Sequence, residues 1–299
     1  MRVPRARELA VSVLPDTLQP EGQRPSAQQA AKPLYPSDLH KTQAHLTNNV
    51  EPVKNASTME TLLEDQRILL WDIDGTLMRS TRAGSFKDYT VPMLEEVFGT
   101  AGRLPEMKVS GMTDLQIVGE ALKYEGFTHE HIRERVHELR ESYMKAMHKF
   151  TGNGEEVFEV LPGVREVLQA VADHPRYQSA LLTGNIEPAA YLKMEIGGLS
   201  DFFPLPGAFG DESHDRRDLP TLAAERIRRH LNLELAPEQF IVIGDTPNDI
   251  ECAKHFGARS LAVNTGRFYA VEDLIQCKPD ALLRDLSNLE LVMQTLAGL

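Results

Sequence analysis

The sequence predicts an α/β protein, a mostly parallel sheet wrapped by helices and interrupted by one helical insertion. Three observations carry that prediction. From Arg67 to the C-terminus short apolar runs alternate with amphipathic stretches. Several runs stop abruptly at polar residues that lead straight into a helix start, the grammar of a strand-to-helix turn at the edge of a parallel sheet. Between about residues 84 and 161 the alternation gives way to helical periodicity alone.

Residues 1–60 are dominated by Pro, Gln, Ser, Asn and Thr with no sustained apolar period, and read as a disordered N-terminal extension. Met59 is a further candidate for the true start, because every motif lies after it. The core is expected in two pieces, 61–83 and 162–299, with the cap at 84–161 between them. Its first strand, Ile68–Trp71, runs into Asp72-Ile73-Asp74-Gly75-Thr76. An extended chain points residues two apart the same way, so both carboxylates can face one crevice, one to attack and one to move protons.

In the insertion, Val91, Leu94 and Val97 with Phe98 mark one helix, and Leu115, Ile117, Val118 and Leu122 a second. Ile132, Val136, Leu139, Tyr143 and Met147 form one helical face of a third, whose charges, Arg135 and Arg140 among them, read as a solvated side. An all-helical segment placed directly after the first strand reads as a cap over the strand ends. Pro162-Gly163 then opens a helix over Val164–Ala172. The run Ser179–Leu182 ends in Thr183-Gly184-Asn185, with Pro188 early in the next helix. Phe240–Ile243 ends in Gly244-Asp245-Thr246-Pro247-Asn248-Asp249, two acids four apart across a helix start, and Ser260–Val263 and Ala281–Leu283 complete the strands.

Bulk properties exclude several classes. The 299 residues are 41% hydrophobic, enough for a packed core. With 44 acids against 32 Lys and Arg the net charge is −12, which argues against nucleic acid or an anionic membrane as partner. Two cysteines, Cys252 and Cys277, with no metal-ligand spacing read as an intracellular, cytoplasmic protein with reduced thiols. No apolar run approaches the roughly 18 residues of a membrane span, and no signal-peptide core stands near the start.

Together with His214-Asp215-Arg216-Arg217-Asp218 ahead of an amphipathic helix, and Gly111-Met112-Thr113-Asp114 in the insertion, these strand ends resemble the haloacid dehalogenase superfamily of phosphotransferases, in the branch whose helical cap follows the first motif. The resemblance runs from about Arg67 to the C-terminus and implies a doubly wound, Rossmann-like core. It implies that Asp72 is the nucleophile that forms an aspartyl-phosphate, and that Asp74 protonates the departing alcohol and then deprotonates water. It implies Mg2+ held by Asp72, Asp74 (through its backbone carbonyl), Asp245 and Asp249. Thr183 and the Gly184 amide would bind phosphoryl oxygens, and Asn185 would contact substrate or loop. The family's usual third-motif lysine is missing; Arg216 falls at its place, with Arg217 the competitor, and either keeps the charge while changing reach and geometry.

An acid at Asp74 separates the chain from members that cleave carbon–halogen or phosphonate bonds, and it fits a leaving group that needs a proton. The expected activity is therefore a phosphatase on a small phosphorylated metabolite, similar to phosphoglycolate phosphatases. The alternatives are a sugar phosphomutase similar to β-phosphoglucomutase, or a scaffold that kept the fold and lost the chemistry. A GxxxxGK[ST] nucleotide cradle is absent. Met107, Lys108, Thr113, Asp114 and Lys123 read either as substrate-side contacts or as cap surface; His129, His131, His137 and His148 read as surface, Cys252 as buried packing, and Val263–Gly266 as a strand-end loop. Oligomeric state is left open by the sequence.

Overall fold

The computed structural model describes residues 65–152, 154 and 156–299, so the expected N-terminal extension and the Met59 start lie outside the described residues. Strand β1 (Arg67–Trp71) is hydrogen-bonded to two neighbours, and the others follow in sequence: the short β2 (Met78–Ser80) and β3 (Phe158–Val160), then β4 (Tyr177–Leu181), β5 (Phe240–Gly244), β6 (Arg259–Val263) and β7 (Ala281–Leu283). The main sheet has the order β4-β1-β5-β6-β7 with every pairing parallel. Trp71 stands opposite Leu181 on one side and Ile243 on the other. The chain therefore leaves β1, returns first beside it as β4, and crosses to the other side as β5. That reversal makes the carboxyl end of β1 a topological switch point, where open α/β sheets bind ligands.

The apolar runs are explained by burial of both sheet faces. Leu69, Trp71, Ile241 and Ile243 enter one core; Ile68, Leu70, Phe240 and Val242 enter the other. All are essentially inaccessible, each aliphatic or aromatic side chain contributing about 1.5–3 kcal/mol by leaving water. Helices α5 (Val164–Ala172), α6 (Glu187–Gly197) and α10 (Leu289–Gly298) supply Val167, Ala190 and Val292 to the first core. Helices α7 (Leu219–Leu231) and α8 (Pro247–Phe256) supply Ala223, Ile227 and Cys252 to the second. The short α9 (Val271–Gln276) packs Leu274 against Ile250 and Ala262. Cys252 and Cys277 are both free thiols.

Between β2 and β3 stand α1 (Lys87–Phe98), α2 (Asp114–Leu122), α3 (His129–Glu134) and α4 (Val136–Thr151). Three details differ from the sequence reading. The segment is not helical throughout, because β3 pairs antiparallel with β2, Met78 opposite Val160. Three-residue strands offer too little alternation to be read. The periodic stretch from Ile132 to Met147 is two helices, broken at Arg135 (φ −102°, ψ 12°). The break is a single residue, too short to disturb the apolar spacing that crosses it. Arg140, expected on a solvated face, instead reaches across to the buried Asp211 carboxylate. Among the described residues no helix is long and apolar enough to cross a membrane.

Candidate active site

The ladder of β1 extends one residue past the strand, the Asp72 amide donating to Ile243 O at 2.9 Å, which fixes Asp72 at the sheet's edge. The chain then turns sharply: the Leu77 and Met78 amides both donate to Ile73 O, and Gly75 sits at φ +95°. A side chain at Gly75 would place its Cβ 2.4 Å from Asp245 Oδ2, so the turn tolerates only glycine. Asp72 is buried, whereas the Asp74 side chain keeps 45% of its accessibility.

The end of β5 brings up Asp245 and, one turn into α8, Asp249. Asp249 Oδ2 accepts from the Thr246 amide at 2.9 Å and the Thr246 hydroxyl at 2.7 Å, closing the helix start. Carboxylate oxygens of Asp72, Asp245 and Asp249 all lie within 4.8 Å of one another. At the end of β4 Thr183 is fully buried; its amide donates to Ala208 O, and its Oγ1 accepts from Asn185 Nδ2 at 2.8 Å. A Cβ on Gly184 would strike Met112 O, so the loop after β4 and the segment before α2 meet backbone to backbone.

The two arginines part company. Arg216 is buried and donates through Nη2 to Asp72 Oδ1 at 2.7 Å and Asp249 Oδ1 at 2.6 Å, and through Nη1 to Gly111 O. Arg217 is exposed and pairs with Asp215. Asp72, Asp74, Thr183, Gly184, Asn185, Arg216 and Asp245 line one cavity of about 270 Å³, with Asp249 directly behind.

Residues 69–263, which contain all of these strand ends, match the model of the haloacid dehalogenase-like hydrolase family. The chain belongs to that family. Among the haloacid dehalogenase-like hydrolases, a phosphoglycolate phosphatase of Vibrio vulnificus (strain YJ016) is 22% identical over 243 residues, covering 76% of this chain and 95% of that one. A crystal structure of a predicted phosphoglycolate phosphatase from Haemophilus somnus superposes with a TM-score of 0.53 at 20% identity, covering 77% of this chain and 99% of that one. A β-phosphoglucomutase from Clostridium difficile gives the same TM-score at 16% identity, covering 77% and 96%. The structural likenesses show a shared fold, and they show it equally for a phosphatase and a mutase.

Burial dominates the electrostatics of this hydrolase. It pushes the Asp72 carboxyl up to about 7, with Asp249 and Asp74 adding to the rise and Arg216 opposing it. Asp245 is likewise driven well above the usual carboxylate range, first by burial and then by its two acidic neighbours. Three buried carboxylates share one guanidinium, so the cluster is short of positive charge. A compact set of hard oxygen donors with unmet charge fits a divalent cation, and these three residues could hold one.

One site residue escaped the sequence reading. Lys193 of α6 is 1% exposed, and its ammonium donates to both Asp74 oxygens, at 2.8 and 2.6 Å, and to Asn185 Oδ1 at 2.7 Å. Burial works against its charge, but Asp74 outweighs that and the ammonium is held protonated. The signal was present: Ala189, Ala190, Met194 and Gly197 form the buried stripe of α6, and a lysine inside such a stripe needs a buried partner. Of the insertion residues singled out above, Met107, Lys108 and Asp114 line the cavity, Thr113 is buried as the cap of α2, and Lys123 pairs with Glu120 at the surface.

Proposed function

We propose that this protein is a Mg2+-dependent phosphatase that hydrolyses a small phosphorylated metabolite through an aspartyl-phosphate. The observation that carries this reading is the pairing of a buried Asp72 with a solvent-reachable Asp74 at one cavity. In the first step an Asp72 carboxylate oxygen attacks phosphorus while the bond to the ester oxygen breaks, and the protonated Asp74 carboxyl gives its proton to that departing oxygen. In the second, water attacks the same phosphorus and Asp74 takes its proton. The bond between phosphorus and Asp72 breaks, and inorganic phosphate and both free carboxyls are restored. Thr183 and Gly184 line the cavity, and the Thr183 hydroxyl and the Gly184 amide would meet the phosphoryl oxygens there.

Asp72, Asp245 and the Asp74 carbonyl would hold the magnesium ion, and Asp249, whose two oxygens already accept from Arg216 and Thr246, fits a contact through water. Bound there, the ion would supply the positive charge that lets carboxylates and a phosphate dianion share one pocket. Arg216 takes the place of the usual lysine, tying Asp72 to Asp249. The helical segment between β2 and β3, whose Met107, Lys108 and Tyr143 line the cavity, fits the cap that selects the substrate. The cavity is lined by seven Lys and Arg against four Asp, a reversal of the chain's acidic balance, as an anionic substrate requires.

Phosphate release from phosphoglycolate, hexose phosphates and nucleoside monophosphates, with Mg2+ and then with EDTA, tests the reading. Mg2+-dependent release that disappears in Asp72→Asn, with the fold retained by circular dichroism, is the expected outcome. Interconversion of sugar phosphate isomers without release would establish a mutase instead, and near-wild-type release by Asp72→Asn would refute the nucleophile.

A further inference from the structure

We propose that Lys193 is a positioning residue for proton transfer, holding the Asp74 carboxylate against Asn185 and apart from the cluster of Asp72, Asp245 and Asp249. The inference rests on the phosphatase reading above and adds a residue to it. Asp74 leaves β1 only two positions after Asp72, on a turn that brings Gly75 against Asp245. Its side chain is nearly half accessible, so packing does not fix its rotamer. A fourth carboxylate so close to a cation site would be drawn onto the cation, where it could no longer trade protons with substrate or water.

Lys193 supplies the counterforce. All three of its N–H bonds are used: two on the Asp74 oxygens and one on Asn185 Oδ1. Asn185 Nδ2 closes the arrangement by donating to Asp74 Oδ2 at 2.7 Å. The ammonium also lies 5.4 Å from the centre of the Phe158 ring of β3, and its stem runs in the buried stripe of α6. A purely structural demand at this position would be met by Met or Leu, as the neighbouring Met194 shows. A buried ammonium is retained only where its charge is matched, and here it matches the ionised Asp74 carboxylate, the form that takes the proton from water in the second step.

The test compares wild type, Lys193→Met, Lys193→Arg, Asp74→Asn and Asp72→Asn, with phosphoglycolate and p-nitrophenyl phosphate as substrates. Nitrophenolate leaves without a proton, so in Lys193→Met the phosphoenzyme should form readily and then wait for water. The expected result is a burst of nitrophenolate followed by a slow steady state. On phosphoglycolate kcat should fall roughly 10- to 100-fold, the order expected for a mispositioned catalytic group, with KM little changed. Lys193→Arg should restore part of the loss. Asp74→Asn should show the same burst more strongly. A merely structural role would lower both substrates' rates together, with no burst, and that outcome overturns the proposal. So does a Lys193→Met kcat equal to wild type while Asp72→Asn and Asp74→Asn are impaired. An active Asp72→Asn would instead sink the phosphatase mechanism itself. If wild type turns over neither compound, crystal structures of wild type and Lys193→Met decide: Asp74 unmoved against Asn185 without the lysine refutes the proposal.

Discussion

Replacing Asp114 by Asn should flatten the pH dependence of stability. Asp114 opens α2, its amide donating to Gly184 O at 2.7 Å and its Oδ2 accepting from the Ile186 amide at 2.8 Å. Burial raises its carboxyl from 3.8 to about 7; the Ile186 amide and Lys193 oppose the rise, and Asp211 and Asp74 add to it. The sign follows from linkage. Below 3.8 the carboxyl is protonated in both folded and unfolded chains and has no effect. As pH climbs from there to about 7 the unfolded chain releases the proton first, so stability falls. With those two values the loss between about pH 5.5 and pH 8 is about 2 kcal/mol for this one group. Asn keeps an acceptor for the Ile186 amide and cannot ionise. Urea unfolding of the metal-free protein at the two pH values reads the effect: wild type should lose about 2 kcal/mol more than Asp114→Asn. Asp72 and Asp245 titrate with the same sign but are common to both proteins, so they cancel in the comparison. Parallel curves for the two proteins would refute the assignment of a partly buried, proton-binding Asp114.

Other perturbations reach the cluster directly. In Gly75→Ala the new Cβ collides with Asp245 Oδ2 and must adopt φ +95°, a conformation costing about 1–2 kcal/mol for an L-residue. Mg2+ should then no longer raise the Tm; a wild-type Tm response to Mg2+ would show that Asp245 does not need this turn. Arg216→Ala leaves Asp72 and Asp249 without their shared cation, and loss of one partner of a buried pair costs about 3–5 kcal/mol. That loss should appear as a lowered urea midpoint in the absence of metal. It should shrink with excess Mg2+, and Arg216→Lys should recover stability more fully than activity. An unchanged midpoint in Arg216→Ala would mean that the guanidinium does not balance the cluster.

What the sequence revealed and what it concealed have separate physical causes. Strands β1, β5 and β6 were legible because burial on both faces writes a continuous apolar run, and the run's abrupt end marks the edge where the candidate site stands. Asp72, Asp74, Asp245 and Asp249 could be named because each sits within a few residues of such an end. Spacing put Arg216 at the lysine's place but left Arg217 as a competitor, since adjacent residues differ only in which way the 3₁₀ turn before α7 points them. The structure turns Arg216 inward to Asp72 and Arg217 outward to Asp215. Lys193 was missed for the opposite reason: it lies 119 positions from Asp74, and helix and loop meet only through the fold.

That long-range pairing also accounts for how so acidic a chain can present a cationic cavity. Net charge is a property of the whole surface, whereas the potential in a cleft depends on the few groups that line it and on the low dielectric of its walls. The inner cations, Arg216 and Lys193, are each matched by site carboxylates and serve to order them. The outer ones include Arg82, which pairs with Asp88, and Lys108, both exposed residues of the cavity lining, where field lines from an approaching dianion would converge. On the proposed reading, substrate attraction and acid positioning fall to different cations, and a substitution at the rim should touch the first without disturbing the second.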